Sequence, residues 1–198
     1  MLHLLSIKIA DIMGRDKIIF ADQVNICAYG LELLLSTIVG ILALVIVSLL
    51  GGFPFLWIPY LMGFVPIRLT AGGYHAGTHV ACISLFTVMY ILVAYFVEFS
   101  VLSGYICFFT STLNLLVVLK FSPVEALNKP LSVRHKMNNR EYSLVISFVN
   151  LCISLILAVY HLEVITFIAA YFAGSNMATL TLLIAVIKRY KKEHSCNS

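Results

Sequence analysis

A chain of 198 residues that is 61% hydrophobic and 11% charged departs far from a soluble domain, where roughly 45–50% and 25% are usual; an ordinary globule in water is excluded. Thirteen Lys and Arg against nine Asp and Glu leave a formal charge of +4, too small a basic excess on so apolar a chain for nucleic acid to be the main partner. The expected solvent for most of the chain is lipid.

The first residues do not read as a signal peptide, because Lys8 and Asp11 interrupt the apolar run and no small-residue cleavage site follows. Leu2, Leu5, Ile9, Ile12 and Met13 recur at helical intervals. They predict an amphipathic helix, lying either on the membrane surface or against the bundle. Apolar runs of spanning length, which takes about 20 residues, follow at 29–50, 80–99, 101–119, 143–160 and 164–187. A shorter run at 53–67 contains Pro54, Pro59 and Pro66, and is counted as a sixth span, broken or re-entrant.

Charge supports six spans with both termini on the same side. Lys8, Arg15 and Lys17 precede the first span, Arg68 follows the second, and Lys120, Lys129, Arg134, Lys136 and Arg140 lie between the fourth and fifth. Lys188, Arg189, Lys191 and Lys192 follow the last, so all thirteen basic residues share one face. The opposite turns, at Gly51 and Gly52, Glu98 to Ser100, and His161 to Glu163, hold none. Short cytoplasmic loops collect Lys and Arg, so the basic face is expected to be cytoplasmic. The expected fold class is therefore all-α: a polytopic membrane protein of about six transmembrane helices with cytoplasmic termini and an N-terminal interfacial helix. Residues 1–198 form a single integral-membrane domain, with an N-terminal segment at 1–28 and cytoplasmic loops at 68–79 and 120–142.

Ionisable groups inside a membrane are functional candidates by default, but the spans hold only Glu32 and the amides Asn114, Asn150 and Asn176. Glu32 lies near enough to the interface to snorkel, and the amides are expected to bridge helices. Ala170, Gly174 and Ala178, spaced by four, predict close approach of another helix. The five cysteines include no CxxC pair, which argues against a disulfide framework. Cys107 and Cys152 read as small apolar core residues, and Cys196 lies in a tail.

Cys82 stands apart, because the segment from Arg68 through Gly72, Gly73, Tyr74, His75 and His79 to Cys82 concentrates polar groups at the basic face. A thiol becomes a strong nucleophile on deprotonation, and an imidazole can take its proton and later protonate a leaving amine. On a straight helix residues 79 and 82 differ by about 4.5 Å in rise and residues 75 and 82 by about 10.5 Å, so spacing favours His79 unless the glycines bend the chain. Two other readings stand beside thiol chemistry: an inert buried cysteine near interfacial histidines, and a metal held by His75, His79 and Cys82 on one helical face.

The run Arg68, Gly72-Gly73-Tyr74-His75, with Cys82 seven residues after His75, resembles the catalytic region of the accessory gene regulator B (AgrB) family of membrane cysteine endopeptidases. The stretch Ser122-Pro123-Val124-Glu125-Ala126-Leu127-Asn128-Lys129-Pro130-Leu131-Ser132 is similar to that family's loop between its middle spans. The resemblance implies an enzyme that cuts a signalling-peptide precursor and helps convert it into a cyclic quorum-sensing pheromone. It implies His75 and Cys82 as the catalytic pair, which requires a bend between them, with Arg68, Gly73, His79 and Lys129 as auxiliary or substrate-positioning residues. Expected partners are an AgrD-like precursor peptide, the lipid bilayer of a bacterial cell membrane and a second copy in a homodimer, with no cofactor, metal or nucleic acid. The rival readings are a noncatalytic transporter or binding protein and an intramembrane metalloprotease. Positive charge on the inner face would draw an acidic peptide tail; anionic lipid and the topology rule account for the same charge.

Overall fold

The computed structural model describes residues 2–16, 19–20, 23–73, 78–99, 103–124, 133–160 and 164–195. They form helices α1 (Leu2–Arg15), α2 (Val24–Leu50), α3 (Trp57–Ala71), α4 (His79–Phe99), α5 (Gly104–Phe121), α6 (Val133–Val159) and α7 (Thr166–Ser195). The described residues include no sheet strand. Helices α2, α4, α5, α6 and α7 are long and apolar enough to cross a membrane. This is an all-helical, multi-pass architecture in which large apolar side chains such as Leu42, Ile46, Phe96, Phe109 and Leu116 face outward, as lipid contact demands.

The sixth apolar run folds as α3, but α3 has only 15 residues, about 22 Å against a hydrocarbon core of about 30 Å. Pro59 falls in its first turn, where the missing N–H has no helical partner in any case. Pro66 lies inside the helix, and Thr70 Oγ1 donates to the Pro66 carbonyl at 2.8 Å. The short helix is surrounded by protein, with Tyr60, Gly63, Phe64, Ile67 and Ala71 buried, and its broadest packing is against α7.

That packing explains the small residues of α7. Ala170 and Ala178 are fully buried; between them, a Cβ on Gly174 would run into the Tyr60 carbonyl, just as one on Gly63 would run into the Tyr171 carbonyl. Only hydrogen at both positions lets the two backbones touch. Residues 60 and 63 of α3 meet 171–175 of α7, and Arg68 meets Thr181 further along both helices, so α3 and α7 run parallel.

Helices α5 and α6 pair antiparallel, since Gly104 at the start of α5 meets Leu157 at the end of α6, while Ser122 and Ser143 hydrogen bond at 2.7 Å across the opposite end. Their buried faces, Cys107, Ser111 and Asn114 on α5 and Ser147, Asn150 and Ser154 on α6, are small and polar at three- and four-residue spacing. Asn114 Nδ2 donates to Ser175 Oγ at 3.1 Å, Ser147 Oγ to Asn114 Oδ1 at 3.2 Å, and Asn150 Nδ2 to Ser175 Oγ at 3.1 Å. Tyr171 closes the network by donating to Asn150 Oδ1 at 2.6 Å. Asn114 and Asn150 thus bridge α5, α6 and α7 as expected; each such interhelical bond contributes about 0.6 to 2 kcal/mol in a membrane. Cys107 is buried as expected, but Cys152 is exposed, because it falls off the polar stripe through which α6 meets its neighbours.

The N-terminal helix α1 packs on α2 through Ser6 and Ala10, both fully buried. Leu5 and Ile12, expected on an apolar stripe, remain outward. The basic segment 120–142 is loop only in part, because its last residues belong to the first turns of α6.

Candidate active site

The site is built where α3 ends. Arg68 lies in the last turn of α3, and the chain leaves the helix through Gly72 at φ +79° and Gly73 at φ +149°, values that suit glycine alone without strain. Gly72 also permits a close approach: the Val124 N–H donates to the Ala71 carbonyl at 3.0 Å, and a Cβ on Gly72 would strike the Val124 carbonyl. A single parallel bridge, Gly72 to Val124, therefore ties the segment after α3 to the segment after α5.

Gly73 covers a cation. The space a Cβ would take there is occupied by Arg68 Nη1, with Thr181 Oγ1 of α7 at 2.8 Å from the same point. Arg68 Nη1 donates to Thr181 Oγ1 at 3.4 Å across 113 residues of sequence. Burial holds the guanidinium below its ordinary pKa, with an opposing electrostatic contribution from Cys82.

Cys82 is delivered by the start of α4. The Thr78 hydroxyl accepts from the Ala81 N–H at 3.2 Å and the Thr78 carbonyl from the Cys82 N–H at 3.0 Å, a side-chain cap followed by the first helical bond. Cys82 is partly exposed near the start of α4. Cys107, by contrast, is enclosed by apolar side chains.

Of the residues singled out in the sequence, Arg68 and Gly73 are brought together where α3 ends, and Cys82 lies in the first turn of α4. His79 is the first residue of α4, three positions before Cys82. His75 and Lys129 lie outside the described residues. The helix begins at His79 and the chain is not helical at Gly72, Gly73 and Thr78, so a straight helix through 75–82 does not exist. The straight-helix spacing of residues 75 and 82 therefore carries no argument, and His79 and Cys82 share the first turn of α4. Thr181 was not recognised from the sequence, since it comes from a distant element and no local pattern marks it; Val124 lies in the stretch 122–132 that carries the resemblance.

A cavity of about 500 Å³ opens between α4, α5 and α7, lined by residues that include Leu92, Phe96, Cys107, Phe172 and Asn176. It begins ten residues beyond Cys82 along α4, about 15 Å deeper, and contains none of the site residues.

No curated protein and no solved structure matches the chain. The family model described as accessory gene regulator B matches residues 6–187, a stretch that enters every one of the seven helices. The chain therefore belongs to the accessory gene regulator B family, with a role in the processing of quorum-sensing peptides at a membrane.

Proposed function

We propose that the chain is a membrane cysteine endopeptidase that cleaves an AgrD-like precursor peptide and holds the N-terminal part as an acyl enzyme for cyclisation. The observation that carries this reading is the match of residues 6–187 to the accessory gene regulator B family, on a chain that places Cys82 in the first turn of α4. The basic end of the bundle faces the cytoplasm, where exported loops would not collect this charge.

In the reaction His75 takes the thiol proton, and the Cys82 thiolate attacks the scissile carbonyl. Collapse of the tetrahedral adduct breaks the peptide bond, and the imidazolium protonates the departing amine. The thioester left on Cys82 keeps an activated carbonyl. A thiol or hydroxyl within the same peptide then attacks it, giving its proton to the neutral His75 imidazole and releasing a thiolactone or lactone as the C–S bond to Cys82 breaks; the imidazolium returns the proton to the Cys82 sulfur. Ring closure outruns hydrolysis because the two ends are held together at high effective molarity and water is restricted.

The test is cleavage of co-expressed precursor, read by mass spectrometry. Cys82→Ala and His75→Ala should each abolish cleavage at normal membrane abundance, and the double variant should be no worse, as for groups that act as a unit. His79→Ala should retain substantial activity. Cleavage by Cys82→Ala would overturn the assignment.

A further inference from the structure

We infer that Arg140, with Lys136 one turn before it, is a carboxylate-binding arm for the precursor peptide: the two cations stand on the inward face of the part of α6 that projects past the bundle, over the segments that lead to the site. The inference rests on the reading of the chain as a peptidase and adds two residues that its chemistry does not use.

Helical register sets the direction. The buried stripe of α6 runs through Ser143, Ser147, Asn150 and Ser154, and the same alternation of threes and fours, continued toward the N-terminus, falls on Arg140 and Lys136. None of the residues from Val133 to Tyr142 is buried, so nearly three turns, about 15 Å, extend past the bundle. Helix α6 packs on α5 and α3, which end at Phe121 and Ala71; beyond those ends its inward face continues as the two cations. The Arg140 carbonyl accepts from Ser143 Oγ at 2.9 Å, Ser143 Oγ is 2.7 Å from Ser122 Oγ, and two residues on, at most about 7 Å of chain, Val124 bridges to Gly72. The arm therefore begins beside the segment that leaves α3 for the site. A guanidinium grips a carboxylate through two parallel hydrogen bonds, and Lys136 adds a second charge four residues away on the same face. The acidic residue of this projection, Glu141, is next to Arg140 in sequence, and adjacent helical positions do not face each other. Lipid headgroups surround the bundle and meet its outer side, where Arg134 lies about 120° to 160° around the helix from the inward pair; a peptide entering over the bundle end meets Arg140 and Lys136.

The experiment uses the full-length protein in phosphatidylcholine nanodiscs, titrated by fluorescence anisotropy with three labelled probe peptides that differ only in carrying Glu, Gln or Lys at the same positions. The native protein should bind the Glu peptide most tightly. Arg140→Gln should weaken that peptide about threefold to fivefold, the upper range for one exposed ion pair, and leave the Gln peptide unchanged; Arg134→Gln should leave both unchanged. Arg140→Glu should shift the preference toward the Lys peptide, a reversal that a merely structural loss would not produce. The difference between native and Arg140→Gln should fade at about 1 M salt, where the screening length is about 3 Å. If Arg140→Gln does not accumulate in membranes, Lys136→Gln reads the same preference.

Native affinity for the Glu peptide in Arg140→Gln, equal losses in Arg134→Gln and Arg140→Gln, or a lowered melting temperature with no change in peptide preference would each overturn the proposal. So would loss of the Arg140 effect in nanodiscs containing phosphatidylglycerol at low salt, which would assign the cations to lipid. The peptidase reading fails on a different result, cleavage by Cys82→Ala, and the binding titration does not depend on it.

Discussion

Adding one methyl group at Gly174 should unseat α3 from α7. A Cβ there lies 3.0 Å from the Tyr60 carbonyl carbon and 3.2 Å from its Cα, where carbon atoms in contact stand about 3.5–4.0 Å apart; the Tyr60 carbonyl oxygen is nearer still. These are backbone atoms of a buried helix, so no rotamer change relieves the clash, and the two axes must separate by several tenths of an ångström. Overpacking of this kind costs about 1–3 kcal/mol, and the upper end applies because this is the broadest interface in the bundle. At about 2–4 °C per kcal/mol for a chain of this size, Gly174→Ala should lower the melting temperature in detergent by about 6 °C or more. Cleavage should fall as well, since Arg68 and Thr181 sit on the two separating helices at a donor–acceptor distance already 3.4 Å. The control is Gly30→Ala in α2, where a Cβ meets nothing within 4 Å and alanine adds up to about 1 kcal/mol of helix propensity. Gly174→Ala melting with Gly30→Ala would refute the close-contact account.

Gly73→Ala should combine backbone strain at φ +149° with displacement of the Arg68 side-chain end that occupies the Cβ position: cleavage should drop at least about tenfold, and the melting temperature should fall as well. Single cysteines placed near Arg68 and Lys136 should be protected from an impermeant reagent in intact cells, and those near Ser100 and His161 labelled; external labelling near Lys136 would reverse the assigned orientation. With a precursor lacking its internal nucleophile, intact-mass analysis should find the N-terminal fragment on Cys82 in a hydroxylamine-sensitive bond. Rapid cleavage without that adduct, with solvent oxygen in the first product, would exclude the thioester.

The spans were legible because crossing lipid is a demand on composition and length, and both can be read without knowing which helices touch. The interior was legible only where small or polar residues marked it. Gly174 with Ala170 and Ala178 announced a close helix contact, and Asn114 and Asn150 announced bridges. Cys152 was misread for the same reason. In a helix surrounded by lipid and protein, both faces are apolar, so hydropathy does not say which face is inside; the stripe Ser147, Asn150, Ser154 does, and Cys152 is not on it. The length of α3 was obscured by three prolines that do not prevent a short helix lodged among longer ones. At the site, Arg68, Gly73 and Cys82 were found because they lie within one short segment. Thr181 is 113 residues from Arg68, on a helix whose other threonines look the same.

Why a threonine so far away can matter follows from how membrane helices associate. Lipid tails are as apolar as the side chains they contact, so close packing and interhelical hydrogen bonds, rather than hydrophobic burial, set how helices register. On α7 those contacts come from Tyr171, Gly174 and Ser175, which meet α3, α5 and α6. Thr181 stands six residues further along the same helix, about 9 Å toward the basic end, with its hydroxyl bonded back to Ala178. A helix fixed at Ser175 carries Thr181 to a defined height, where its Oγ1 accepts from Arg68 Nη1. The polar core is therefore the ruler against which the site is measured. A displacement of α7 at Ser175 is carried along the helix to Thr181 and its bond to Arg68.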